Sequence, residues 1–263
     1  MRRGNPKVTG VLPITLGEAA KTVQALLQSG KEYVCVMRLH ALTELSRVRN
    51  VLKQFEGEVY QRPPLRAAVK RQLRTRRVYY IELLEMVDRN VLLRIGCEGG
   101  TYIRKLCHDI GEVLGTGAHM QELRRTRAGP FTEDDASFVT LHEVAYYYDE
   151  WKTRGDADAL RRIVQPMETA LVLLPKIVVR DSAVDALCHG ANLTAPGVLS
   201  VTSGISPGTL TAVNTLKGEA VVLAEAQCST EEILKLNHGI VAKTRRVLMP
   251  RGTYPKAWKT REG

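Results

Sequence analysis

No stretch of this chain is apolar, uninterrupted and long enough for a membrane-crossing helix, so no transmembrane helix is expected. The start, Met1-Arg2-Arg3-Gly4-Asn5-Pro6-Lys7, has the charge of a signal peptide but no apolar core behind it. The five cysteines (Cys35, Cys97, Cys107, Cys188, Cys228) are scattered, and no two form a Cys-x-x-Cys pair. A disulfide framework and a zinc site are therefore not expected, and a reducing cytosol fits. Cys107 and His108 are adjacent, but neighbours on a helix point apart, so packing explains them better than a metal does. Internal repeats and low-complexity segments are also missing. Acid is missing where base is densest: Gln61 to Arg77 carries seven basic residues and no Asp or Glu.

The basic excess is general. With 38 Lys+Arg against 28 Asp+Glu the net charge is +10 and the pI is near 9.5, which favours a polyanionic partner. Within Gln61–Arg77 the Pro63-Pro64 start predicts a rigid exposed loop. Arg62, Arg66, Lys70, Arg71, Arg74, Arg76 and Arg77 then suit phosphate contacts better than a merely solvated face. A second basic group, Arg124, Arg125 and Arg127, surrounds Leu123.

The stretch from Gly99 to Phe131 organises the chain. Val91–Cys97 is an apolar run typical of a buried strand, and Gly99-Gly100 breaks it. From Tyr102 the period changes, with Ile103, Leu106, Ile110, Val113 and Leu114 along one helix face. Tyr102 and Arg104 thus stand where a strand turns into a helix, a good place to hold a reactive group. Upstream, Gly17–Gly30 predicts an amphipathic helix with Ala20, Val23, Leu26 and Leu27 on one face. Lys31–Leu39 reads as a strand with Tyr33 near its start, where it is a strand aromatic or a functional one. Thr43–Phe55 reads as a helix with Leu45, Val48, Val51, Leu52 and Phe55 inward. Val78–Val87 and the Val91 strand form a hairpin about Asp88-Arg89-Asn90.

Downstream, Thr140 to Glu143 predicts a capped helix start. The aromatics Tyr146, Tyr147, Tyr148 and Trp151 on that helix can stack on bases, but are expected instead to close a core. Near Leu174-Pro175 the pattern changes to short strands: Ile177–Val179, Leu210–Val213, Ala220–Ala226 and Ile240–Leu248. Helices Asp181–Cys188, with a Ser or Asp cap, and Thr230–Leu236 lie between them. This predicts a mostly β unit of about eighty residues.

These residues resemble a known family, the archaeal tRNA pseudouridine synthase B and dyskerin-type pseudouridine synthases, the latter being catalytic subunits of box H/ACA RNA-guided particles. The resemblance rests on Pro6–Pro13, Lys31–Val34, Gln61–Lys70, Gly100–Arg104 and Gly117–Phe131. The segment of about 175 to 250 resembles the PUA domain, a small RNA-binding β-barrel. The fold implied is α+β: a mixed, largely antiparallel sheet with helices over residues 1–173, the PUA barrel over 174–252, and a basic tail over 253–263.

The activity implied is isomerisation of uridine to pseudouridine within RNA, at the T-loop of tRNA or at guide-directed rRNA and tRNA sites, without metal or diffusible cofactor. The implied partners are tRNA, box H/ACA guide RNA and the other H/ACA core proteins. Position by position, Tyr33 matches the tyrosine that stacks on the target base and Tyr102 the second pocket tyrosine. Ile103 matches a packing residue, Arg104 the arginine that pairs with the catalytic carboxylate, and Leu123 a pocket leucine. Lys70 falls in the Pro-Pro motif, whose role is more structural.

One departure stands out. The family's nucleophilic aspartate precedes the proline matching Pro6, and here that position is Asn5, an uncharged amide and a poor nucleophile. The family's histidine-bearing loop and first strands lie upstream of it and are expected to be missing, leaving a sheet edge or apolar face exposed. The alternative implied by Asn5 is an inactive RNA-binding scaffold of the same family.

Overall fold

A computed structural model describes residues 8–62 and 72–256, which group into two units: residues 8–13 with 27–164, and residues 14–26 with 165–256. The first unit is built on a sheet of β1 (Val8–Gly10), β2 (Lys31–Leu39), β3 (Gly57–Gln61), β4 (Arg74–Val87), β5 (Asn90–Cys97), β6 (Ala118–Ala128) and β7 (Phe131–Thr132). Its order is β1-β6-β2-β5-β4-β3, with β7 added to β6. Only the β1–β6 pair is parallel, so the sheet is mixed and largely antiparallel, and three-residue β1 forms one edge among the described residues.

The central strand β2 alternates cleanly: Cys35, Met37 and Leu39 are fully buried while their neighbours are not. Strand β6 is the largest element that periodicity does not disclose. Its inward residues are Ala118, Met120, Leu123, Thr126 and Ala128, a row that changes phase. The register against β2 shifts at Glu32/Tyr33 and at Val36/Met37, and such bulges break the period of two that identifies a strand. β4 and β5 form the expected hairpin, with Asp88 in the left-handed region at φ 53°.

Helix α1 (Val23–Gln28) follows a 3-10 turn over Gly17–Thr22, so the expected continuous helix is split. The tighter winding aligns residues three apart. Thr22 and Ala25 are the buried pair, whereas Val23 and Leu27 are exposed. Helix α2 (Leu45–Gln54) buries Val48, Val51 and Leu52 as expected, with Leu45 exposed. In α3 (Ile103–Leu114), Ile103, Leu106, Ile110 and Leu114 are buried, but Val113 faces outward.

Helix α4 (Leu141–Arg154) carries the expected cap, a reciprocal capping box between Thr140 and Glu143. Its aromatics do not close a core. No residue of the helix is buried, and Tyr146, Tyr148 and Trp151 are exposed. The rings pack on one another along the helix surface instead, Tyr148 on Trp151 with centroids 5.6 Å apart. Helix α5 (Asp158–Ile163) follows.

The second unit holds β8 (Lys176–Val179), α6 (Asp181–Cys188), β9 (Leu193–Thr194), β10 (Val198–Val201), β11 (Leu210–Asn214), β12 (Ala220–Ala226), α7 (Thr230–Lys235) and β13 (Ile240–Val247). Its sheet runs β10-β8-β11-β12-β13-β9. Val221 to Ala224 are fully buried in succession, which explains why β12 reads as an unbroken apolar run. Helix α6 is not capped by Ser or Asp: its N-cap is Arg180, which gives no side-chain bond. Among the described residues, no helix is long and apolar enough to cross a membrane.

Candidate active site and RNA-binding surface

The two candidate pocket tyrosines lie at one end of the sheet. β2 begins at Lys31, paired with Cys97, the last residue of β5. Tyr33 stands two residues further in, between Ile95 of β5 and Arg125 of β6, and packs against the core that contains Ile103 and Leu123. From Cys97 the chain turns through Gly99-Gly100 to Tyr102. A side chain at position 99 would place its Cβ 2.3 Å from the Leu27 carbonyl oxygen, and Gly100 has φ +89°, so this turn needs its glycines.

Tyr102 is the N-cap of α3 in extended conformation. Its backbone is held by Gln61, the first residue of the Gln61–Lys70 segment, for which the residues alone suggest no role. Tyr102 N–H donates to Gln61 Oε1 at 2.9 Å, and Gln61 Nε2 donates to the Tyr102 carbonyl at 3.3 Å. Arg104 stands exposed in the first turn of α3, and no carboxylate among the described residues pairs with it. Ile103 is 3 % and Leu123 9 % exposed, and both belong to the core against which Tyr33 packs. Asn5 lies outside the described residues.

Burial and the Cys97 side chain hold the Tyr33 hydroxyl above the ordinary value, outweighing the charge of Arg125 and a hydrogen bond from it. Tyr33 is thus a neutral phenol near neutral pH. The neighbouring Lys31 ammonium donates to the Ser29 carbonyl at 2.5 Å. Burial and the charge of Arg125 bring its pKa down to about 8.

Glu32 points to a separate cluster, where Tyr80 donates to Oε2 and Thr126 to Oε1 at 2.7 Å. Burial pushes its carboxyl up. The two hydrogen bonds with Arg127 and Arg94 outweigh burial, so the pKa falls below the ordinary 4.5. A carboxyl lowered by folding stabilises the fold above the unfolded value and loses that contribution as pH falls through the folded one. The melting difference between wild type and Glu32→Gln is therefore expected to be largest near neutral pH and to vanish on acidification below 4.5. A thermal melt series against pH checks this, and a constant difference would refute it.

The basic residues take several places. Arg66, Lys70 and Arg71 lie outside the described residues, and Arg62 is exposed at the end of β3. Arg74, Arg76 and Arg77 are not in a loop. They open β4, because each pairs across to β3: Arg74 with Gln61, Arg76 with Val59 and Arg77 with Glu58. Arg76 ion-pairs with Glu98 at 3.5 Å and lies over Gly100.

The arginines of β6 do not converge on one point. Arg124 ion-pairs with Glu133 at 2.6 Å, and Arg125 donates to the Val11 carbonyl at 2.6 Å. Arg127 faces Tyr80 and Glu32.

The chain matches the TruB family pseudouridylate synthase N-terminal domain over residues 5–47 and 43–103. It matches the tRNA pseudouridylate synthase B C-terminal domain over 104–172 and the PUA domain over 175–248. It is 58 % identical to the probable tRNA pseudouridine synthase B of Methanopyrus kandleri, covering 97 % of this chain and 75 % of that protein. Its identity to the Pyrococcus abyssi protein of the same name is 55 %, covering 97 % and 76 %.

A crystal structure of a Cbf5–Nop10–Gar1 complex contains a chain 52 % identical to this one. It superposes with a TM-score of 0.92 over 96 % of this chain and 76 % of its own. A chain in an H/ACA RNP bound to a substrate RNA containing 2′-deoxyuridine is 49 % identical with a TM-score of 0.88, over 97 % and 77 %. These likenesses do not favour an inactive scaffold over a synthase. The fold, the strand-to-helix junction bearing Tyr102 and Arg104, and these matches together establish that the chain belongs to the TruB family of pseudouridine synthases.

Proposed function

We propose that the chain isomerises a uridine to pseudouridine within a structured RNA, a tRNA T-loop or a site selected by a box H/ACA guide RNA. The observation that supports this reading is Tyr33 at the start of β2 beside the β5-to-α3 junction that bears Tyr102 and Arg104, in a frame that superposes over 96 % of this chain on the chain of the Cbf5–Nop10–Gar1 complex. The uridine leaves its stack and enters the pocket, with Tyr33 against the base face. A carboxylate attacks the nucleoside, the base leaves C1′, turns and rejoins through C5, and a base removes the C5 proton. Arg104, unpaired among the described acids, is the cation that holds the carboxylate ionised. The family position of that carboxylate is Asn5, which makes this position the rate-determining weakness of the chain as it stands.

Residues 1–173 serve as the catalytic domain. Residues 174–252 serve as the RNA-binding PUA domain, followed by a basic tail over 253–263. The basic residues from Arg62 to Arg77, with Arg124, Arg125 and Arg127, follow the phosphates. The cytoplasm is the compartment that suits an RNA substrate and the free cysteines of the described chain. Partner proteins like those in the Cbf5–Nop10–Gar1 complex seat the guide and substrate.

The direct test is RNA carrying tritium at uracil C5, since pseudouridine formation releases that hydrogen to water. Release from a uridine stem-loop supports the reading, and none from the Asn5→Asp chain defeats it. Binding tests the pocket separately. Loss of one base–aromatic stack costs about 1–3 kcal/mol, so Tyr33→Ala is expected to weaken stem-loop binding by about 5- to 150-fold. Tyr33→Phe keeps the ring and should bind as wild type. Equal binding by all three would remove Tyr33 from the pocket.

A further inference from the structure

The Gln61 side chain is 2 % exposed, yet it is an amide at a position where the fold asks for an apolar group. In β3, Val59 and Gln61 face inward while Glu58 and Tyr60 face outward. Val59 packs on the core in the ordinary way. A buried amide costs stability unless both its ends are satisfied. Here both ends are satisfied by one residue, the backbone N–H and C=O of Tyr102, across 41 positions of sequence.

Tyr102 needs such a partner. As an N-cap it has extended backbone, φ −96° and ψ 98°, and its side chain makes no capping bond. Its carbonyl already accepts from Leu106 N–H at 3.0 Å, so Gln61 fills the second acceptor site. Without Gln61 the Tyr102 N–H would be left without that partner. Gln61 is also the last residue of the edge strand, and Arg62, exposed, opens the basic stretch directly after it.

We infer that Gln61 is a positioning residue of the pocket: its amide clamps the Tyr102 backbone and sets the angle at which α3 presents Tyr102 and Arg104. The inference rests on the pocket reading given above.

Two variants and two readouts test it. Gln61→Leu keeps the volume and removes both hydrogen bonds. Gln61→Glu keeps an acceptor for the Tyr102 N–H at any pH, but restores a donor to the Tyr102 carbonyl only when its carboxyl is protonated, which burial favours at acid pH. The first readout is amide hydrogen exchange. In Gln61→Leu the Tyr102 amide should exchange about tenfold faster, with Ile110 in the same helix unchanged. The second is binding of two stem-loops, one with the target uridine and one abasic there.

Wild type should prefer the uridine RNA. Gln61→Leu should lose at least about fivefold of that preference while binding the abasic RNA unchanged. The base preference of Gln61→Glu should fall as pH rises and its carboxyl ionises against the Tyr102 carbonyl, while that of Gln61→Leu stays flat, a titration that simple packing would not produce. A Gln61→Leu chain with wild-type exchange at Tyr102 and full base preference overturns the assignment. A wild-type chain that binds both RNAs equally overturns the pocket reading instead, and the Tyr102 exchange rate then decides whether the clamp exists.

Discussion

Asn5→Asp is expected to raise single-turnover pseudouridine formation by about six orders of magnitude, the scale on which removal of a nucleophile acts in enzymes whose catalytic groups work as a unit. The reaction needs a negatively charged oxygen at the nucleoside, and an amide supplies neither the charge nor the nucleophilicity. Arg104 stands exposed in the first turn of α3 with no acid among the described residues beside it. Tyr33 is a neutral phenol packed against the core of the sheet unit. Stem-loop affinity should not rise with the rate, because an added carboxylate only adds repulsion toward phosphate. Tritium release from C5 under enzyme excess measures the first quantity and filter binding the second. Equal rates for the two chains would mean that residue 5 is not the reacting position.

Gly111→Ala should be the most damaging single methyl in the sheet unit. A Cβ at Gly111 would lie 2.1 Å from the Ala118 nitrogen and 2.6 Å from both the Ala118 Cβ and the Gly117 carbonyl carbon. All three belong to the turn into β6 and cannot swing aside as a side-chain end could. Alanine is the better helix former by about 1 kcal/mol, which alone would favour the variant. The clash outweighs this, because α3 can retreat only by lifting the fully buried Ile110 and Leu106 off the core. A net loss of about 3 kcal/mol is expected, or about 6–12 °C in the melting of that unit. Calorimetry should show the transition of the sheet unit moving while that of the PUA unit stays. A chain with two units is not two-state, so the transitions are to be followed separately. An unchanged first transition would show that α3 and β6 are not in the contact described.

Elements with one dominant period are legible in the residues alone. β2 and β12 have the bounds expected from the residues, because an alternating row and an unbroken buried run each leave a clear trace. The capped start of α4 is legible because the Thr140–Glu143 box is local chemistry. The family resemblance located Tyr33, Tyr102, Arg104 and Leu123, and the structure sets Tyr33 and Tyr102 at one end of one sheet.

What is not legible depends on partners far along the chain. Strand β6 is hidden because its bulges are set by β2, more than eighty positions away. Arg74, Arg76 and Arg77 read as a loop because only pairing with β3 makes them a strand. The aromatics of α4 have the composition of a core, but their exposure is decided by which elements pack beside them.

The family, the basic character and the residue types available for chemistry were thus already present in the chain as a string of residues. All of these reside in local order and identity. Only the tertiary structure decided that Gln61 holds Tyr102, that Arg124 and Arg125 are turned to different partners, and that Gly111 must lack a side chain. Each of these is a contact between segments distant in sequence, and no local pattern encodes a distance across the fold.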